Sequence, residues 1–205
     1  MQTINKLINA GEKKSEVFCD VAGILEIAVY QDATYSATFL QTGQDLNIKV
    51  SLLGENARAD IRVIYLSSTD HNNRIRCEMR HLTPKTFSTQ TIKGVASGYG
   101  SADFYGVVRI PFDSQKCEGS QSHKGLLLSD NASIACTPEL EIYADDVKCN
   151  HGSTVGNLDK AQLFYLQSRG ICRKQAEHML IKAFLCADLP SGLENKIDEW
   201  LMKNE

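Results

Sequence analysis

Cys149 and His151 stand two residues apart in the run Cys149-Asn150-His151-Gly152. Thiolate and imidazole are ligands for iron, zinc and copper. In an extended chain, residues i and i+2 share a face, so both side chains could address one metal. Two ligands do not close a site. On spacing alone, an ordinary buried thiol beside a turn histidine remains the plainer reading.

The other reactive residues are dispersed. The chain has seven cysteines and five histidines. The cysteines (19, 77, 117, 136, 149, 172 and 186) form no Cys-x-x-Cys pair. An odd, scattered set argues against a secreted disulfide framework and for reduced thiols in a cytoplasmic chain. Cys77 alternates with Ile75 and Met79, so it points into a core; Cys136 and Cys186 read as structural too. His71 and His123 fall in polar, turn-like stretches and read as solvated, whereas His81 reads as a hydrogen-bonded structural histidine. His178 has no partner at ligand spacing. Asp145 and Asp146 are adjacent, so in a strand they face opposite ways and cannot converge as an acid/base pair. No Gly-x-x-x-x-Gly-Lys-Ser/Thr loop and no Gly-x-Ser-x-Gly elbow occurs, which excludes those routes to nucleotide hydrolysis and acyl transfer.

The elements that must position Cys149 and His151 are mainly strands. The chain has 205 residues, 42% of them apolar, enough for a sizeable core. Its net charge of -3 offers no basic face for nucleic acid. No run of 18 apolar residues and no signal peptide is present, so no membrane is expected. Asn131-Ala132-Ser133 matches a glycosylation sequon, a coincidence in a cytoplasmic chain. Residues 1–20 read as a polar, loose lead-in. Strand-like runs then recur: Gly23–Tyr30, Thr34–Leu40, Leu46–Leu53, Ala59–Leu66, Arg74–Met79, Phe87–Ile92, Phe104–Ile110, Gly125–Leu128 and Ala132–Ala135. Leu46, Ile48, Val50 and Leu52 alternate with polar residues, which buries one face and wets the other. Turn formers such as Gly54-Glu55-Asn56 and Asp70-His71-Asn72-Asn73 lie between runs. Leu140, Ile142, Tyr143 with Ala144, and Val147 read as further short strands, with Cys149 to Gly152 as a turn. An antiparallel sandwich or barrel and a parallel solenoid both fit.

After residue 157 the period becomes helical. Asp159 caps a helix carrying Leu163, Phe164 and Leu166, and Gly170 stops it. Ala176, Met179, Leu180, Ala183, Phe184 and Ala187 form one apolar stripe of a second helix, with Cys172 as a weak N-cap and Leu189-Pro190 as its end. Ser191 to Glu194 forms a capping box for a third helix with Leu193, Ile197, Trp200 and Leu201 on its apolar face. The domains expected are 1–157 and 158–205.

The run Pro138 to Gly156, P-x-L-E-I-x-x-x-D-V-x-C-x-H-G-x-T-x-G, continued by Leu163 to Ile171, closely resembles the signature of the SufB/SufD family of iron–sulfur cluster assembly scaffolds. His81 to Gly94 and Ala102 to Ile110 resemble two further family runs. The His151-Gly152 version is more similar to SufD than to SufB. Family members are about twice as long, so the resemblance places this chain at the C-terminal portion. It implies a mainly β fold: a right-handed parallel β-helix followed by a small C-terminal α-helical region.

The resemblance also implies a function. The matching histidine, His151, lies at the interface with SufB and helps build a nascent Fe–S cluster, with Cys149 secondary and more a packing residue than a ligand. No tightly bound cofactor is expected in isolation. SufC, an ABC-type ATPase, docks on the helical region, here at Tyr165, Leu166, Arg169, Gly170, Ile171 and Phe184. The expected protein is a non-enzymatic scaffold, with a homodimer possible through the same exposed strands. Two readings compete. One is a SufB-like, cluster-carrying scaffold, which the His-Gly turn opposes. The other is a β-helix enzyme on glycans or acyl groups, for which no convergent carboxylate set exists.

Overall fold

The alternation in Asp45–Leu52 is what the structure uses: Leu46, Ile48, Val50 and Leu52 are buried, and the residues between them reach solvent. The computed structural model describes residues 3–187, 189–190 and 192–204. Twelve strands run β1 Thr3–Ile8, β2 Lys13–Cys19, β3 Gly23–Val29, β4 Thr34–Gln41, β5 Asp45–Leu52, β6 Arg58–Ser67, β7 Asn73–His81, β8 Phe87–Ala96, β9 Ser101–Ile110, β10 Glu118–Leu127, β11 Ser133–Ile142 and β12 Lys148–Asn157. Odd strands form one parallel sheet, β1-β3-β5-β7-β9-β11. Even strands form the other, β12-β10-β8-β6-β4-β2. The chain therefore crosses from sheet to sheet at every strand, which makes a parallel β-helix and excludes a hairpin-built sandwich.

Inward residues stack in register columns. Ile27, Val50, Met79, Val108 and Leu140 form one column in the odd sheet. In the even sheet, Ala37, Ile61, Gln90, Gln121 and His151 form another. That second column turns from apolar to polar towards the C-terminal end. The corners repeat a left-handed residue: Gly11, Asp32, Asn56, Lys85 and Lys116 all have positive φ. Each donates its backbone N–H to the following coil, as Asp32 does to Glu55 at 2.9 Å.

Four expectations for the strand region need correction. Residues 1–20 are not a loose lead-in but largely β1 and β2. Lys6, Lys14 and Glu16 take inward positions between Ile4, Ile8 and Phe18, which hid the alternation: Lys6 Nζ meets Glu16 at 2.6 Å, and the Tyr35 hydroxyl donates to Glu16 at 2.9 Å. These contacts close the interior of the first coil. Cys149 to Gly152 is not a turn, because β10 templates the whole of β12 from Glu118↔Lys148 to Leu127↔Asn157. Tyr143 and Ala144 lie beyond the end of β11. His123 is buried, not solvated, since it lies on the inward row of β10.

The helices are α1 Lys160–Ser168, α2 Arg173–Cys186 and α3 Glu194–Lys203. The Asp159 carboxylate accepts from the N–H groups of Ala161 and Gln162. Gly170, at φ 85°, ends α1, and Ile171 N–H reaches the Leu166 carbonyl at 3.3 Å. Helices α2 and α3 pack on the outer face of the even sheet, where Ile181, Leu185, Ile197 and Trp200 meet Leu40, Ile64, Leu66 and Val95. They flank the β-helix rather than capping it. The expected α2 stripe is rotated: Ala176, Ile181 and Leu185 are buried while Met179 is exposed. Ile and Leu bring more apolar area to the sheet than the alanines of the expected stripe, so they take the contact. Leu193, Ile197, Trp200 and Leu201 are all buried, as the spacing predicts. Ser191 lies outside the described residues; the Glu194 carboxylate accepts from Gly192 N–H at 3.0 Å. No described helix is long and apolar enough to cross a membrane.

Candidate functional site

Among the described residues, no further coil stacks on the last one. β12 pairs with β10 alone and β11 with β9 alone, so both present an open strand edge. On β12 the inward row is Cys149, His151 and Ser153. The flanking members fix its direction: Cys149 packs against the interior core, and Ser153 Oγ lies 3.2 Å from His123 Nδ1. His151 sits between them in register with Gln121, exposed and with no side-chain hydrogen bond among the described residues. It is an imidazole presented at the rim of the solenoid.

Cys149 shares the face but not the environment. It is half-buried over Gly119, where an added Cβ would stand 3.3 Å from its Sγ. Burial pushes its thiol up, despite a backbone hydrogen bond to Gly119 that lowers it. A protonated, packed thiol is a poor ligand.

Beneath the rim is a polar interior, of which the sequence reading anticipated only His81. His123 is stacked between Phe104 and Tyr65, with ring centroids 5.5 and 5.9 Å away. Its Nε2 is 3.0 Å from the Tyr65 hydroxyl. Burial pushes its pKa down to about 4. His81 is the hydrogen-bonded structural residue expected, with Thr86 and Ser88 hydroxyls each at 2.8 Å. Burial holds it at about 4, against the Thr86 bond. Gln121 donates to Gln90 at 2.8 Å, and Gln90 donates to the Val107 carbonyl at 3.3 Å. The signal for this row was the spacing Gly119-x-Gln121-x-His123-x-Gly125, which is strand alternation with polar and small residues inward. Cys136, half-buried on β11, hydrogen-bonds Ser153; burial nevertheless raises its thiol pKa.

Of the expected helix residues, Tyr165, Leu166, Arg169, Gly170 and Ile171 come together at the end of α1. The Arg169 guanidinium lies 5.3 Å from the Tyr165 ring. Helix α1 buries none of its residues, and Phe164 is 72% exposed. Phe184 belongs elsewhere: it is half-buried on α2 against the sheet–helix core, under the Lys93 ammonium at 6.0 Å.

Among the described residues, no group of three or more His, Cys, Asp or Glu is placed to hold a metal ion. The fold and rim together define a parallel β-helix protein that presents an exposed imidazole on the open edge of its last coil. The profile of the SUF system FeS cluster assembly SufBD core domain matches residues 22–184. The chain is 36% identical over 174 residues to the iron–sulfur cluster assembly protein SufD of Escherichia coli K12, covering 83% of this chain and 41% of that protein. It is 29% identical to SufD of Bacillus subtilis, over 66% of this chain and 31% of that one. It is 33% identical to SufB of Bacillus subtilis, over 65% of this chain and 29% of that one. The chain thus spans less than half the length of these relatives. It belongs to the SufB/SufD family of iron–sulfur cluster assembly proteins.

Proposed function

We propose that this chain is the β-helix and helical part of a SufD-like scaffold subunit, non-catalytic in itself. It pairs through β11 and β12 with a SufB-like subunit, and His151 contributes an imidazole to an Fe–S cluster forming at the seam. The observation that carries this reading is the exposed, unbonded His151 on an open-edged terminal strand. An imidazole suits iron, and the described residues place no group of three or more His, Cys, Asp or Glu to hold a metal ion, so the remaining ligands come from the facing subunit. Cys149 then serves packing. The open edges of β11 and β12 suit pairing with another chain, since they leave backbone N–H and C=O groups unpaired. The surface at Tyr165, Leu166, Arg169, Gly170 and Ile171 docks the SufC-like ATPase, because α1 presents aromatic and cationic groups that its own fold leaves uncovered. Phe184 takes part only indirectly, by holding α2 to the sheet.

The test is co-purification with SufB-like and SufC-like partners, followed by anaerobic reconstitution with iron and sulfide and an absorption spectrum. The His151→Ala complex is expected to assemble normally and to form much less cluster. Equal iron and sulfide in the variant and parent complexes overturns the assignment.

A further inference from the structure

The register column under His151 has a polarity fixed from its far end. The Val107 carbonyl can only accept, so the Gln90 amide must present its Nε2 there, at 3.3 Å. That leaves Gln90 Oε1 to accept, and Gln121 Nε2 donates to it at 2.8 Å. Neither amide can be flipped without breaking this chain. Gly106 keeps the arrangement open, since a Cβ there would stand 2.3 Å from Gln121 Nε2. The consequence is a stranded acceptor: Gln121 is 1% exposed, and its Oε1 has no hydrogen-bond partner. Buried acceptors are rarely left so.

One rung further along the same inward row stands His151, in register with Gln121. Adjacent rungs are about 4.8 Å apart. An imidazole on that rung has one N–H to donate when neutral, and the His151 ring makes no other hydrogen bond among the described residues. We infer that Gln121 is a positioning residue for His151: its free Oε1 accepts one imidazole N–H when the ring turns inward. This fixes the tautomer and leaves the other ring nitrogen's lone pair directed out of the open end. Metal-ligating histidines commonly have their second nitrogen held in this way. The inference rests on the reading of His151 as a ligand, and it names the group that prepares it.

The experiment uses the whole chain with nitrogen-15 histidine, at about pH 9, well above the ordinary histidine pKa. His151 signals are assigned by their loss in His151→Ala. In the parent, the two His151 ring nitrogens are expected to show well-separated shifts, one protonated and one bare. In Gln121→Met, which removes the acceptor, the two shifts converge on the average of free histidine. Gln121→Glu, which keeps an acceptor, retains the separation. Unchanged His151 shifts in Gln121→Met overturn the inference. Should that variant not fold, as judged by the His81 and His123 signals, averaged shifts in Gln121→Glu overturn it instead. In the assembled complex, Gln121→Met should weaken iron retention by about tenfold or more. A held tautomer with undiminished cluster formation in His151→Ala would sink the proposed function and leave this inference standing. Averaged tautomers in the parent, with cluster formation dependent on His151, would do the reverse.

Discussion

The Tyr65 hydroxyl and His123 Nε2 are 3.0 Å apart inside the β-helix, joining β6 to β10 across two rungs. The ring that makes this contact possible lies over Gly94, its register partner on β8. A Cβ at position 94 would stand 2.3 Å from Tyr65 Cδ2 and Cε2. Gly94→Ala should therefore cost about 2–3 kcal/mol, at the upper end of overpacking effects. Urea unfolding measures it. Adding Tyr65→Leu should recover part of the loss, because the two sites are coupled through one contact.

The two buried histidines set a pH dependence. His123 and His81 are both held near 4 by burial, below the ordinary 6.5. Each folded value lies below the unfolded one, so the unfolded chain binds the extra proton between those limits. Stability is then full above about pH 6.5 and falls as the pH drops through about 4, by at most about 3 kcal/mol for each histidine. Urea midpoints at pH 7 and pH 4.5 report it. His123→Gln should show a visibly smaller loss over that interval than the parent, and an identical slope would rule out the burial argument.

At the corners, Lys116 adopts φ 61°, where its N–H reaches the Asp146 carbonyl. A side chain in the left-handed region costs roughly 1–2 kcal/mol relative to glycine, part of which glycine returns as unfolded-state entropy. Lys116→Gly should thus raise stability modestly, by about 0.5 kcal/mol, seen as a small increase in Tm. An equivalent change at Lys85 also removes its exposed pairing with Glu55 and should gain less.

These corners explain how much of the fold was legible. Strand runs such as Leu46 to Leu52 announced themselves because their inward residues are all apolar. The coil repeat did not. Thr3 pairs with Ile24, Asp45 with Arg74 and Ser101 with Ser133, so the coils lengthen along the axis. The left-handed corner position carries Gly, Asp, Asn, Lys and Lys in turn, so no residue type marks it. β1 and β2 were missed because Lys6, Lys14 and Glu16 take inward places that alternation reserves for apolar side chains. His123 was misplaced for the mirror-image reason: polar neighbours in sequence looked like solvent exposure, while the fold supplies Tyr65 and Ser153 as partners from other coils. Of the site, the Cys149/His151 pair was legible on one face of one strand. Gln121 was not, because its meaning comes from an oxygen with no partner three-dimensionally beside His151.

The end of α1 offers a surface test. Arg169 is exposed and touches chiefly the Tyr165 ring, itself 57% exposed. Arg169→Glu should leave Tm within the range of ordinary surface substitutions, about 0.5 kcal/mol either way. Capture of the SufC-like ATPase should fall severalfold in a pull-down. Undiminished capture moves the docking surface off α1.

Cys149 and His151 should separate packing from ligation. Cys149 is pressed over Gly119 and carries a thiol that burial keeps protonated, so Cys149→Ser places a hydroxyl where a weakly polar sulfur packed. The expected cost is about 1 kcal/mol of stability, with cluster formation in the complex close to that of the parent. His151→Ala should show the opposite: a change in Tm within the range of ordinary surface substitutions, because the side chain is exposed, and a large loss of cluster. Both quantities come from the same preparations, by thermal unfolding of the isolated chain and iron analysis of the complex. A Cys149→Ser complex that fails to hold iron while the chain stays stable would transfer the ligand role from the imidazole to the thiol.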